Sequence, residues 1–201
     1  MITLRPEVKE ILEKYISLIE TNQWDTFFEN IQNDWIPQTI GKVAETLESA
    51  GIFPLPYMTF IPEGYFILSL ITEYTIPKNI TRICYKAFCA SDIEKIVIPS
   101  NVFDINQFAF EGCDFLTTFI SEEGLHYIDD GCFYSCEALI HVTFPKSLKR
   151  IGHNVFNRCD NLTEIHYKGT VEEWNKISNH EFVNEGSYVS KIICIDGEIN
   201  L

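Results

Sequence analysis

Phe110-Glu-Gly-Cys113-Asp-Phe-Leu116-Thr-Thr-Phe119 recurs as Phe133-Tyr-Ser-Cys136-Glu-Ala-Leu139-Ile-His-Val142 and again as Phe156-Asn-Arg-Cys159-Asp-Asn-Leu162-Thr-Glu-Ile165. Phe110, Phe133 and Phe156 stand 23 residues apart, and so do Cys113, Cys136 and Cys159. A fixed period of this length marks a solenoid, whose units bury their apolar edges only against their neighbours. Working backwards, Ile76-Pro77, Ile83, Ala87-Phe88, Ile93 and Ile96-Val97-Ile98-Pro99 form a turn of the same design, one residue shorter, with Ser91 in the cysteine column. Working forwards, Leu148, Ile151, Val155-Phe156, Leu162 and Ile165-His166-Tyr167 complete four regular turns over residues 76–168.

The shared pattern, I-P-x-x-V/L-x-x-I-x-x-x-A-F-x-x-C-x-x-L-x-x-I, resembles the BspA-type (Treponema-type) leucine-rich repeat. The resemblance implies a right-handed solenoid with one short parallel strand per repeat on the concave face. It also implies the adhesive or recognition role that such repeats often serve. Ser91, Cys132, Val155, Glu122 and Lys168 depart from the pattern at its small-residue, cysteine or proline columns. The segment Tyr167-Lys-Gly-Thr-Val-Glu-Glu-Trp174-Asn-Lys-Ile177 is similar to the Y-x-G-T-x-x-x-W-x-x-I run that often closes these arrays. Trp174 falls 23 residues after Ile151, in the column of Ile105, Ile128 and Ile151. Residues 169–201 thus read as a C-terminal cap, with Ile192–Ile195 as a final strand and Asp196-Gly197 as a tight turn.

Upstream the period fades. Val8, Ile11, Leu12, Tyr15, Leu18 and Ile19, then Trp24, Phe27, Phe28 and Ile31, then Ile40, Val43, Ala44 and Leu47 recur at helical spacing. Residues 1–51 therefore read as a helical N-terminal cap ending at Gly51. Residues 52–75, with Pro54, Pro56, Pro62 and Gly64, read as a connector and a degenerate first repeat. The expected fold class is an α+β repeat, a leucine-rich-repeat solenoid capped at both ends.

The net charge of −14 argues against a ligand held through nucleic-acid phosphates. Met1-Ile-Thr-Leu-Arg-Pro runs straight into an amphipathic pattern, and no apolar run is long enough to span a bilayer. The sequence therefore predicts a soluble, cytoplasmic chain. In a reducing compartment the recurring cysteines are small buried residues rather than a disulfide framework. No C-x-x-C, no histidine pair at ligand spacing, no G-x-S-x-G and no phosphate loop occurs. No cofactor, metal ligand or catalytic residue is expected, and the chain reads as non-enzymatic.

What remains is surface. If Ile96/Ile98, Phe119/Ser121, Val142/Phe144 and Ile165/Tyr167 point inward, alternation leaves two outward columns. One is Lys95, Thr118, His141 and Glu164; the other is Val97, Ile120, Thr143 and His166. Exposed Val and Ile among polar groups suit a protein partner. Between Lys95 and Lys146 lie eight acids and no Lys or Arg, so Glu122, Glu123, Asp129 and Asp130 define an acidic edge beside the strand face. The first expectation is a module that binds a protein through both features. An alternative is an acidic inhibitor, of a kind suited to a phage or mobile element, that blocks a basic nucleic-acid-binding surface of a host protein. A surface adhesin is a further reading implied by the resemblance, and the absence of an export signal counts against it. In a last reading the helical head carries the function and the solenoid is a spacer.

Overall fold

In the computed structural model, residues 59–201 are described. The helical cap expected at 1–51 lies outside them, as do residues 52–58 of the connector. Over the described residues the chain winds into a β-solenoid with three walls. The first wall is made of four-residue strands: β3 (Lys95–Ile98), β5 (Thr118–Ser121), β7 (His141–Phe144), β9 (Glu164–Tyr167) and β10 (Lys191–Cys194). These pair in parallel in that order, and β10 turns back antiparallel to β11 (Gly197–Asn200). The second wall is a ladder of two-residue strands: β1 (Phe60–Ile61), β2 (Arg82–Ile83), β4 (Asp104–Ile105), β6 (Tyr127–Ile128) and β8 (Arg150–Ile151). Because β1 pairs with β2 and Glu73 bridges to Lys95, residues 59–75 form a first coil of the same stack.

The third wall has no strands, and its backbone is satisfied in another way. Gly64, Lys86, Phe108 and Gly131 all have positive φ, and the N–H of each donates to a carbonyl one coil further on, at 2.8–3.2 Å. A second column repeats the device: Leu68, Ala90, Gly112, Ser135 and Arg158 are left-handed and donate to Cys89, Glu111, Tyr134, Asn157 and Gly186. Residues between them donate back within their own coil, as Ala87 does to Cys84 and Cys89 to Lys86. The left-handed residues thus aim alternate N–H groups along the solenoid axis. A non-glycine residue there costs roughly 1–2 kcal/mol of backbone strain, offset by satisfying a donor that would otherwise be stranded.

The walls enclose one apolar column system. Phe66, Phe88, Phe110, Phe133 and Phe156 are fully buried or nearly so, and their rings stack with centroids 4.8, 5.1, 5.5 and 5.4 Å apart. Phe119 meets Phe133 edge-on at 4.7 Å, so the strand wall locks into the ring stack. The cysteine column is more than filler. The thiols of Cys113, Cys136 and Cys159 donate to the carbonyls of Phe88, Phe110 and Phe133 at 3.1, 3.0 and 3.0 Å. Ser91 takes the same place in the shorter coil, its hydroxyl 3.6 Å from the Cys113 sulfur.

Burial pushes the Cys132 and Cys136 thiols well above the ordinary 9.0. Above pH 9 the unfolded chain releases these protons while the folded chain keeps them, so stability falls as pH rises. At pH 10 the loss is about 1.4 kcal/mol for each thiol held neutral. Urea unfolding at pH 8 and pH 10 will show this drop, and Cys136→Ala will be less stable at pH 8 yet lose about 1.4 kcal/mol less between the two pH values. An equal drop in both proteins would contradict the assignment.

Two expectations change. Helix among the described residues is confined to α1 (Val171–Trp174) and a 3-10 turn at His180–Phe182, so this part is a β-solenoid and not an α+β repeat. The single turn of α1 is held by a reciprocal cap in which Thr170 accepts from the Glu173 N–H and Glu173 accepts from the Thr170 N–H. Trp174 is fully buried, edge-on to Tyr167 at 5.3 Å, but it does not continue the column of Ile151. Ser178 bridges to Arg150 instead, because α1 consumes the residues that a plain repeat would spend reaching the ladder.

Candidate binding surface

Alternation decides which side chains the long-strand wall presents. Ile96, Ile98, Phe119, Ser121, Val142, Phe144, Ile165 and Tyr167 are buried, so their neighbours on each strand face outward. Parallel register then brings the expected columns together. Lys95 pairs with Thr118 and Thr118 with His141, while Val97 pairs with Ile120, Ile120 with Thr143 and Thr143 with His166. On β10 the columns continue into Lys191, beside Glu164, and Ile193, beside His166. At the other end Glu73 extends the first column through its bridge to Lys95. Lys191, Ile193 and Glu73 escaped the sequence reading because their coils break the 23-residue spacing. The alternation of Ile192 and Cys194 with Lys191 and Ile193 was the available signal.

The surface is graded along its length. Val97 is 40% exposed and, with Glu73, Tyr74, Thr75, Ile76, Lys95 and Pro99, lines a shallow depression of about 370 Å³ at the first-coil end. The β-branched pair Ile120 and Thr143 is half-buried in mid-sheet, and the far end carries the ionisable cluster of His141, Glu164, His166 and Lys191. Within it the His166 Nε2 lies 3.3 Å from the Glu164 Oε1, and Lys191 pairs with Glu198 on β11 at 3.2 Å. As placed, no three His, Cys, Asp or Glu side chains among the described residues converge on a metal-binding point.

The acidic edge has another use. Glu122 accepts from the Ser100 N–H at 3.1 Å, and Glu123 accepts from the N–H groups of Lys146 and Ser147, each at 3.0 Å. Asp130 accepts from the His153 N–H at 2.8 Å, and Asp129 pairs with Arg150. Burial pushes the Asp129 carboxyl up, and Arg150 pulls it partly back. All four tie neighbouring coils together: Glu122, Glu123 and Asp130 by accepting from backbone N–H groups, and Asp129 through the Arg150 guanidinium. Sequence charge located them but not which donors they face. Among the described residues no helix is long and apolar enough to cross a membrane.

Coils with one four-residue strand, one two-residue strand and one internally bonded turn, closed over stacked Phe and Leu/Ile columns, define a leucine-rich repeat protein. The model of the BspA type leucine rich repeat region matches residues 59–187 in six copies, and the chain belongs to that family. Among solved structures it is similar to a leucine rich cell surface protein from Faecalibacterium prausnitzii A2-165, at 18% identity over 60% of each chain with a TM-score of 0.32. It is also similar to a leucine-rich repeat protein from Bacteroides capillosus ATCC 29799, at 25% identity over 57% of this chain and 63% of that one, with a TM-score of 0.38. The pneumococcal vaccine antigen PcpA matches at 18% identity over 70% of this chain and 44% of its own, with a TM-score of 0.42. The chain spans less than two thirds of each of these proteins. No curated protein matches it.

Proposed function

We propose that the protein is a non-enzymatic recognition module that docks another protein on the concave face of its long-strand wall. The observation that carries this reading is the pair of in-register outward columns, Lys95-Thr118-His141-Glu164 and Val97-Ile120-Thr143-His166. They offer apolar, β-branched and ionisable groups on a rigid backbone, so that little ordering entropy is lost on docking. The depression beside Val97 gives a partner's apolar side chain a seat, as anchor residues at interfaces require. The carboxylates of the acidic edge are already engaged with the chain, so the reading rests on the strand columns.

A photo-crosslinking residue placed at Ile120 or His166, in protein exposed to lysate of its native host, is expected to capture one partner. The same residue at Phe115, which is 57% exposed on a turn away from the wall, is expected to capture none of it. Ile120→Arg abolishes capture, while raising salt from about 0.1 M to 0.5 M leaves it largely intact, as expected of an apolar contact. Capture from Phe115 alone would move the site off the strand face. Steep loss with salt, together with insensitivity to Ile120→Arg, would return the acidic-inhibitor reading.

A further inference from the structure

Among the described residues the long-strand wall ends on an open edge: β11 is its outermost strand, with β10 on one side and no strand on the other. We infer that this edge pairs antiparallel with β11 of a second copy of this chain, joining two solenoids through one continuous sheet. The register with β10 shows what the edge offers. The Leu201 N–H donates to the Ser190 carbonyl at 2.9 Å. Antiparallel ladders alternate bonded and non-bonded pairs, so Ile192–Ile199 and Cys194–Gly197 are the bonded pairs that follow. Glu198 and Asn200 therefore direct their N–H and C=O groups away from β10, to the open side. Sheet edges are normally blunted by proline, lysine or a bulge. β11 has no proline, lysine or arginine, its pairing with β10 runs without interruption, and Gly197, Glu198 and Asn200 are exposed.

The chemistry of β11 selects a second copy of itself as the occupant. A symmetric pair must match Glu198 and Asn200 with the same residues of the mate, because these carry the free backbone groups. Centred on Ile199, the two-fold register sets Glu198 against Asn200 of the second copy and Asn200 against its Glu198. Each such pair exchanges two N–H···O bonds, and no charge faces its like. The register that faces Glu198 with Glu198 sets like charges directly opposite, which is destabilising. The register that faces Asn200 with Asn200 carries Glu198 beyond the second β11. The pairing about Ile199 also sets Leu201, which is 44% exposed, against Gly197, and Ile199 against Ile199 where that side chain packs on the core. Lys191 lies 3.2 Å from the Glu198 carboxylate and offsets its charge from the same copy. Because the outward columns run on to Lys191 and Ile193 of β10, the two docking faces become parts of one sheet.

A short strand buries little surface, so the association belongs to the weak class. Sedimentation equilibrium of the full-length reduced protein is expected to show its mass rising from 23.3 kDa toward twice that value with concentration. The dissociation constant is expected on the order of 100 µM. Each copy carries a net charge of −14, so a pairing made by backbone bonds should tighten as salt screens the repulsion between copies. Glu198→Pro and Asn200→Pro each remove an outward N–H from both copies while leaving the bonds to β10 in place. Each is expected to weaken association by about tenfold or more. Asn200→Glu leaves the backbone intact, sets Glu against Glu, and is expected to weaken it too. Ile120→Arg, on the docking face, is expected to leave it unchanged. Hydrogen exchange at the Glu198 and Asn200 amides should slow as the protein is concentrated. A monomer at every concentration up to about 1 mM, or association undiminished in both proline variants, would overturn the pairing. Undiminished association in Asn200→Glu would overturn the register about Ile199.

Discussion

Phe133→Ala is expected to destabilise the protein by about 3–5 kcal/mol in urea unfolding, the range for removing a buried phenyl ring. Phe133 is fully buried at the middle of the ring stack, between Phe110 at 5.5 Å and Phe156 at 5.4 Å, with Phe119 edge-on at 4.7 Å. Each of these aromatic pairs contributes about 0.5–1.5 kcal/mol beyond burial of area, so the substitution sits at the upper part of its range. Collapse into the cavity is blocked because the backbone on either side is pinned. The Phe133 N–H donates to the Val155 carbonyl at 2.9 Å, and its own carbonyl accepts the Cys159 thiol at 3.0 Å. Phe115→Ala, on a ring 57% exposed, is expected to change stability by less than about 0.5 kcal/mol. Similar losses from the two substitutions would mean that the ring stack is not the core. In a solenoid each coil touches only its neighbours, so the damage in Phe133→Ala is expected to be local first. Hydrogen exchange should lose protection around Cys113–Asn157 before it does so at β10.

The repeating half of this structure was legible in the sequence because a period of 23 puts the same residue type in the same column on every coil. The inward and outward sets on β3, β5, β7 and β9 followed from alternation alone, and Ser121 was placed inward although it is polar; its hydroxyl donates to the Thr143 carbonyl at 3.1 Å. The strandless wall was not legible. Its left-handed columns hold Gly64, Lys86, Phe108, Gly131 and Asn154, and Leu68, Ala90, Gly112, Ser135 and Arg158. What recurs there is the direction of an N–H group, which any residue can supply at some cost in strain, so no residue type betrays it. The acidic edge was legible as charge, but the N–H groups that Glu122, Glu123 and Asp130 accept from were not, because a carboxylate facing a turn N–H and one facing only solvent look the same in sequence. The closing coil failed for a third reason. Trp174 kept the spacing of the column, but the Thr170–Glu173 cap winds α1 there and hands the ladder position to Ser178.

Gly124→Ala is expected to cost about 3 kcal/mol or more, the sum of backbone strain at a glycine-only φ and overpacking. Gly124 has φ +124, and a Cβ there would collide with the Ser100 carbonyl oxygen and lie 2.9 Å from its carbonyl carbon. The obstacle is backbone of the preceding coil, so no side chain can swing aside to relieve it. Ser100 cannot retreat cheaply either, since its N–H donates to Glu122 at 3.1 Å. On the other side the Gly124 N–H donates to the Ser147 hydroxyl at 2.8 Å, which itself donates to the Leu125 carbonyl at 2.9 Å. A methyl group at this position therefore presses on the backbone of the preceding coil at a turn that is also hydrogen-bonded to the following one. Contrast Gly112, which also has positive φ but whose Cβ would meet only Ala90 at 4.0 Å. Gly112→Ala should cost only the backbone strain, roughly 1–2 kcal/mol. Urea midpoints for the two variants separate the contributions: a large loss for Gly124→Ala and a small one for Gly112→Ala assign the difference to coil spacing. Equal losses would assign everything to φ and remove the argument that the Glu122-Glu123-Gly124 turn sets how closely these coils stack.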